Sequence, residues 1–435
     1  MLRIATSVTL LALAGCAPEE DTGDHHHDPA VDAGVTGDCL DEVGVICTVA
    51  GDGEPELAGD GGPATAASVG LPLDVAFAAD GTMIIVDFYN SVIRAVDPDT
   101  GIIRRIAGSG ELGASGCEGS LGQDPLDLCL NHPTTVAFDG QGQLLVAGYL
   151  SSRLFRIDLG IGRVTGVLGT GQRSYRGDEG PAAEASFDLV TSAVPDGAGG
   201  IYLTDQENQL IRYVDPDGVI HRHAGRCIID LDVLTGEELC QPDEEPVACP
   251  DSDKVTCGDP AELCVRPCTT AFAGDGGGPL DARFAFGFGE AALEPKGQLL
   301  RDPAGDLYVS DSDNGRVRVI GSDGTVRTVA GNGEDGSSGD GGPATQASLR
   351  SPADLALGDD GSLFIADPWA MCVRRVAPDG TIDTVAGVCG ERGFEGDGGP
   401  ATEALLKVPF GLAVAGPILY IADTGNQRVR AVRLR

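Results

Sequence analysis

The sequence predicts an all-β fold: a single six-bladed β-propeller whose last blade is closed by a strand from the N-terminal side. Three observations predict it. The heptapeptide GDGGPAT occurs three times, at 59–65, 339–345 and 396–402. A second signature, an Asp at a strand end followed by a turn and then an Arg, begins at Asp87, Asp205, Asp311, Asp367 and Asp423, with a degenerate copy at Gly148. Successive copies lie 61, 57, 106, 56 and 56 residues apart, one blade each except where one interval holds an insertion. The 65 Gly and 26 Pro suit many short strands joined by tight turns.

Taken from the start, residues 1–15 read as an export signal. Arg3 supplies a short positive region, and Ile4 to Leu13 form an apolar stretch too short to span a bilayer. Leu13-Ala14-Gly15-Cys16 follows and resembles the lipobox of bacterial lipoproteins. That resemblance implies cleavage before Cys16, a lipid on its sulfur, and anchoring in the bacterial cell envelope, at the outer membrane or cell surface. Residues 16–42 carry Glu19, Glu20, Asp21, Asp24, Asp28 and Asp32 with little to bury, and read as a disordered acidic tether. His25-His26-His27 is a weak metal-holding run within it, more simply part of a polar linker.

Setting Cys16 aside leaves an even number of the 13 cysteines, which in an exported chain points to disulfides. Closeness suggests Cys117 with Cys129, while six more cysteines crowd a segment at about 226–270 without a paired CxxC zinc pattern. A net charge of −38 excludes a nucleic-acid backbone as partner, repels anionic head groups, and fits a soluble monomer.

Residues 43–435 hold the repeats. Worn copies of the first signature stand at 177–182 and 274–277, and the second repeat has lost it near Gly119. After each second signature comes a turn such as Asp97-Pro98-Asp99-Thr100-Gly101 and a strand closing on Ala-Gly or a variant of it. Five such strands follow their own blade, and the sixth matches 45–51, so the N-terminal strand is expected to complete the last blade. Each blade has apolar faces it buries only against its neighbours. These signatures resemble the NHL repeat over about 43–435 apart from the insertion. The resemblance implies a propeller of a type used as a binding module in sensor and RNA-binding proteins, with lyases among its relatives.

The Asp and Asn of the second signature suit a turn, Arg94 and its counterparts are placed to pair with an Asp, and the GDGG glycines suit positive φ. GDGG lacks the spaced carboxylates of a calcium loop. Strand parity puts the GDGG segments, the DxxN turns and the insertion on one face. On that face the insertion and four aromatics, Phe88, Tyr89, Tyr149 and Trp369, break the symmetry and are candidate partner-binding residues.

The resulting functional expectation is a lipid-anchored binding or scaffold module for a protein, peptide or glycan. No GxSxG elbow or P-loop is present and no cofactor is implied. The alternative is a metal-dependent lyase or lactonase acting at the channel mouth. Aligned starts of the first strands place Asp74, Thr135, Ser192, Gly297, Asp354 and Gly411 there, with Asp74 and Asp354 as candidate ligands and calcium as the fitting ion. His221 and His223 share one face of an outer strand without an evident third ligand. A further alternative is an inert envelope spacer.

Overall fold

The computed structural model describes residues 39–111, 121–225, 246–248, 255–257, 272–287 and 295–435. Cys16, the export signal, the tether up to residue 38, Cys117 and most of the 226–270 insertion lie outside them. Six antiparallel sheets are arranged in a ring, each with four principal strands. The inner strands are Pro72–Phe77, Pro133–Phe138, Val190–Pro195, Leu299–Arg301, Leu355–Leu357 and Pro409–Ala415, which define blades 1 to 6. Each contacts the inner strand of the next, and the last returns to the first. Within the insertion Pro246–Ala248 pairs with Val255–Cys257.

The middle strands read as continuous buried runs, for example Met83–Asp87 and Val92–Val96, because both of their faces lie against other blades. Outer strands alternate; Ile103–Ala107 buries its two ends and leaves Arg104 in water. The core therefore lies between blades. Ile84, Val86 and Ile93 pack against Val136, Leu144 and Val146, and Ala422 and Val429 against Val75, Met83 and Ile85. Each fully buried Val, Leu or Ile contributes about 1.5–3 kcal/mol, spread evenly around the ring.

Ring closure is by the N-terminal strand. Ile46–Ala50 pairs with Arg428–Arg433 in the register Ile46 to Val432, Cys47 to Ala431 and Thr48 to Arg430. A disulfide between Cys39 and Cys47 staples the approach, and a second joins Cys372 to Cys389. Cys129 is also disulfide-bonded. Among the described residues no helix is long and apolar enough to cross a membrane.

The GDGG segments do not share the face of the DxxN turns. Gly180–Pro181 and Gly342–Pro343 add to the outer edges of blades 3 and 5, and Pro63 bridges to Ile102 on blade 1. Strand parity tracks which end of a blade the chain reaches. The twist of each blade then swings the outer strand across the rim, and the connection follows it. A Cβ on Gly59, at φ +83, would stand 2.6 Å from the Cα of Ala67, so the turn and the PATxA segment after it are small together.

Candidate functional site

Both signatures converge on one buried cation. Arg94 is fully buried and donates to Asp60 of GDGG through Nε (3.1 Å) and Nη2 (2.7 Å), and to the carbonyls of Ser68 (2.6 Å) and Ala58 (2.9 Å). Asp87 faces it at 3.8 Å. Arg212, Arg318 and Arg430 repeat the arrangement with Asp178 and Asp205, Asp275 and Asp311, and Asp397 and Asp423. Arg374 pairs with Asp340. Phe394 covers Arg428 and Arg430 at 3.9 and 5.3 Å, and Phe272 covers Arg316 and Arg318 at 4.0 and 4.9 Å, so these exposed rings are lids on internal cations.

Blade 2 has lost every partner at once. Gly122 takes the backbone bond to the outer strand that Gly61 makes in blade 1, which puts Leu121 where Asp60 stands. Gly148 replaces Asp87, and Phe155, opposite Val146 as Arg94 is opposite Ile85, replaces the arginine. The network is structural, and an isolated member would be a buried charge without a counter-charge.

The DxxN turn divides its two central positions. The first packs toward the next blade: Ser312 Oγ donates to Pro352 O (2.8 Å) and Thr424 Oγ1 to Pro72 O (2.6 Å). Phe88 and Tyr149 occupy this position and are only 3% and 1% exposed, so neither presents a ring to a partner; Phe88 instead packs edge-on against His132 at 4.9 Å. The second position points outward in most blades, Glu207 of blade 3 being buried. Tyr89 is 48% exposed and Trp369 is partly exposed, while the other blades carry Leu150, Glu207, Asp313 and Gly425 there. Of the four aromatics, Tyr89 and Trp369 alone reach the surface. The residue after the turn has positive φ and reaches to the next blade: Ser91 Oγ accepts from His132 N (3.2 Å) and Gln427 Oε1 from Leu71 N.

At the channel the backbone corrects the sequence alignment by one residue in blade 4. Ser310 N donates to Gln298 O (2.9 Å) as Ala366 N does to Asp354 O (3.0 Å), so the ring position is Gln298 and not Gly297. The ring is Asp74, Thr135, Ser192, Gln298, Asp354 and Gly411. An innermost strand has no partner on its channel side, and odd-numbered blades supply acceptors to the next. Asp74 accepts from Val75 N (2.7 Å) and Val136 N (2.8 Å), Ser192 Oγ from Leu299 N (3.1 Å), and Asp354 from Leu412 N (2.7 Å). Burial, then the charge of Asp354, pushes the Asp74 carboxyl well above the usual range, and burial likewise raises Asp354. On the even-numbered blades, Thr135 Oγ1 and Gln298 Oε1 are buried without a hydrogen-bond partner.

These donors do not complete a calcium shell. That ion takes 6–8 oxygens, five of the six ring positions carry a side-chain oxygen while Gly411 carries none, and both Asp74 oxygens already accept N–H bonds. Among the described residues no group of three or more His, Cys, Asp or Glu is placed to hold a metal. His221 lies between Glu179 (3.0 Å) and Asp215 (3.1 Å), which raise its pKa, whereas burial against Tyr202 pushes His223 down to about 4.

No family model matches the chain. It is 27% identical to mouse teneurin-1 over 288 residues, 61% of this chain, and 26% identical to Drosophila teneurin-m over 415 residues, 89% of this chain. It spans only 9% and 13% of the length of those two relatives. Among solved structures it is similar to a Bacteroides thetaiotaomicron protein of unknown function, with TM-score 0.57, 14% identity, and coverage of 89% of this chain and 75% of that one. An auxiliary nutrient binding protein from the same organism gives TM-score 0.55 at 12% identity, with the same coverages. These likenesses concern the fold.

Proposed function

We propose that this chain is an extracytoplasmic binding module, lipid-anchored through Cys16, that presents the DxxN face of its propeller to a protein, peptide or glycan. The observation that carries the reading is the asymmetry of that face: Tyr89 and Trp369 stand outward at a position where the other blades carry no aromatic. Partly exposed aromatics on rigid turns make contact anchors. Bacteroides propellers described as auxiliary nutrient binding proteins share the fold and lend support to a binding role.

The anchor rests on Leu13-Ala14-Gly15-Cys16, and the register of the closing strand suits it. Ile46 pairs with Val432, at the end of its strand away from the turn at 424–427, so a tether arriving there leaves the DxxN face pointing outward. Crosslinking with mass spectrometry on intact cells tests the binding role, and labelling with a fatty-acid analogue in wild type and Cys16→Ser tests the anchor. Label that survives in Cys16→Ser excludes the anchor at that residue, and crosslinks confined to the opposite face exclude the proposed surface.

A second reading, metal-dependent lyase or lactonase chemistry in the channel, is favoured by one observation: Thr135 Oγ1 and Gln298 Oε1, at the ring positions next to Asp74 and Asp354, are buried without partners. Calcium titration followed by calorimetry checks it, and the absence of saturable binding sinks it.

A further inference from the structure

We propose that the junction of blades 5 and 6 on the DxxN face is a binding site for acidic sugars, polyuronates by class. The proposal deepens the binding-module reading and rests on it. Several backbone links gather the patch. Ala370 O accepts from Gly390 N (2.8 Å), and Arg392 bridges to Leu406 beside Lys407. Val408 N in turn donates to the sulfur of Met371 (3.3 Å), two residues from Trp369. The disulfide between Cys372 and Cys389 pins the loop that carries Arg392 to the strand after Trp369. On the other flank Arg350 donates to Trp369 O (3.1 Å) while pairing with Asp335. Gly425 N donates to Lys407 O (2.8 Å), and a Cβ on Gly425 would meet Lys407 Cγ at 2.6 Å, so the blade 6 turn leaves no room for a side chain over Lys407.

The chemistry follows from what the patch offers. Arg392 and Lys407 make no side-chain hydrogen bond or ion pair among the described residues, and both stand within reach of solvent. Arg350 is held by Asp335, which leaves Arg392 and Lys407 as two cations with no side-chain partner at the surface of a chain whose net charge is −38. Such cations in an acidic protein select an anion. A partly exposed indole on a surface that also carries cations suits a pyranose, whose C–H face packs on the ring while its carboxylate meets guanidinium or ammonium. A peptide would more naturally add to a sheet edge. Here the outer edges are lined by Gly-Pro segments, and the channel-side N–H groups of Val136, Leu299 and Leu412 are taken by Asp74, Ser192 and Asp354.

Trp369 is the sole tryptophan of the chain, so its emission reports on this patch alone. The test titrates the full chain with an α-1,4-linked galacturonate hexamer, the corresponding galactose hexamer and poly-glutamate, following fluorescence and heat. The expected result is a saturable change in Trp369 emission with galacturonate only, weakened by added salt. Arg392→Gln with Lys407→Gln should weaken it by roughly five- to tenfold, two exposed charge contacts' worth, at an unchanged melting midpoint. Galacturonate binding with silent emission, or unchanged by the double variant, overturns the site but leaves the binding module standing. Equal binding of poly-glutamate overturns the sugar class. Absence of any binding overturns the site, and if crosslinking also finds no partner, the module reading fails separately.

Discussion

Asp60 and Arg94 lie 34 residues apart in the chain and meet at 2.7 Å, joining the GDGG segment to the third strand of the same blade. The pair explains why two signatures so far apart in the chain recur together. Neither Asp60 nor Asp87 satisfies Arg94 alone, and the remaining guanidinium protons go to the Ser68 and Ala58 carbonyls. Removing one partner leaves a buried charge unmatched, which costs about 3–5 kcal/mol. Arg94→Phe alone should therefore lower stability by about that much in chemical denaturation. The triple change Asp60→Leu, Asp87→Gly, Arg94→Phe copies blade 2 and should recover a substantial part of the loss. Equal stability of the single and triple variants would falsify the concerted reading.

Much of this was legible in the sequence, and the misses have physical causes. Blade number and ring closure follow from repeat spacing and from one outer strand supplied at 45–51, because a blade without it leaves an unpaired edge. Sequence alignment puts Gly297 in the ring because Lys296-Gly297-Gln298-Leu299 offers no alternation to fix parity, and only the bond from Ser310 N to Gln298 O does so. Phe88 and Tyr149 read as exposed because the two central turn positions look alike in sequence. The signal was present in Ser312 and Thr424, small polar residues that bond the next blade, which marks that position as a wedge between blades. The sharing of Arg94 by both signatures needs the fold, since pairing with an Asp does not say which.

The closing strand carries its own prediction. Ile46–Ala50 covers the edge of Arg428–Arg433, and Thr48 donates to Asp397 through N (3.2 Å) and Oγ1 (2.6 Å), so its loss also strips one carboxylate oxygen beside Arg430. A chain beginning at Gly51 should expose an unpaired edge and associate through it. Light scattering after size exclusion is expected to show dimers or larger species, reverting to monomer when a peptide of residues 43–51 is added. A monomeric truncation with an unchanged melting midpoint would count against closure as a source of stability.

Gln298 separates a ligand-holding channel from a merely imperfect one. Its side chain is 2% exposed and Oε1 has no partner, a condition that costs about 1–3 kcal/mol. If nothing binds there, Gln298→Met should be neutral or stabilising, since it removes the unsatisfied group and keeps the volume. If an ion or small ligand from the medium satisfies it, the same change should destabilise, and dialysis against a chelator should abolish the difference. Thermal unfolding of both proteins before and after chelation reads this directly.

The last prediction concerns pH. Burial raises the carboxyls of Asp87 and Asp311 to about 7 and that of Asp423 to about 6, and it also raises Asp74, Asp354 and Asp367. In the unfolded chain an Asp loses its proton near pH 4. Between about pH 4 and 7 the native state therefore holds protons that the unfolded state has released, and stability falls as pH rises through that window. The turn carboxylates act oppositely: Thr100, Thr325 and Thr381 hold Asp97, Asp323 and Asp379 below the usual range, and stability from them is lost as pH falls through their folded pKa values. The two sets together place the optimum on the acid side of neutrality. Melting midpoints should rise from pH 8 to pH 5 and decline again below about pH 4. Because the charge of Asp354 raises Asp74 across the ring, Asp354→Asn should flatten the upper limb by more than its own titration, through the relief of Asp74. A midpoint that climbs steadily from pH 5 to 8 would overturn the raised carboxyls, and an Asp354→Asn profile parallel to wild type would show that the two carboxylates ionise independently.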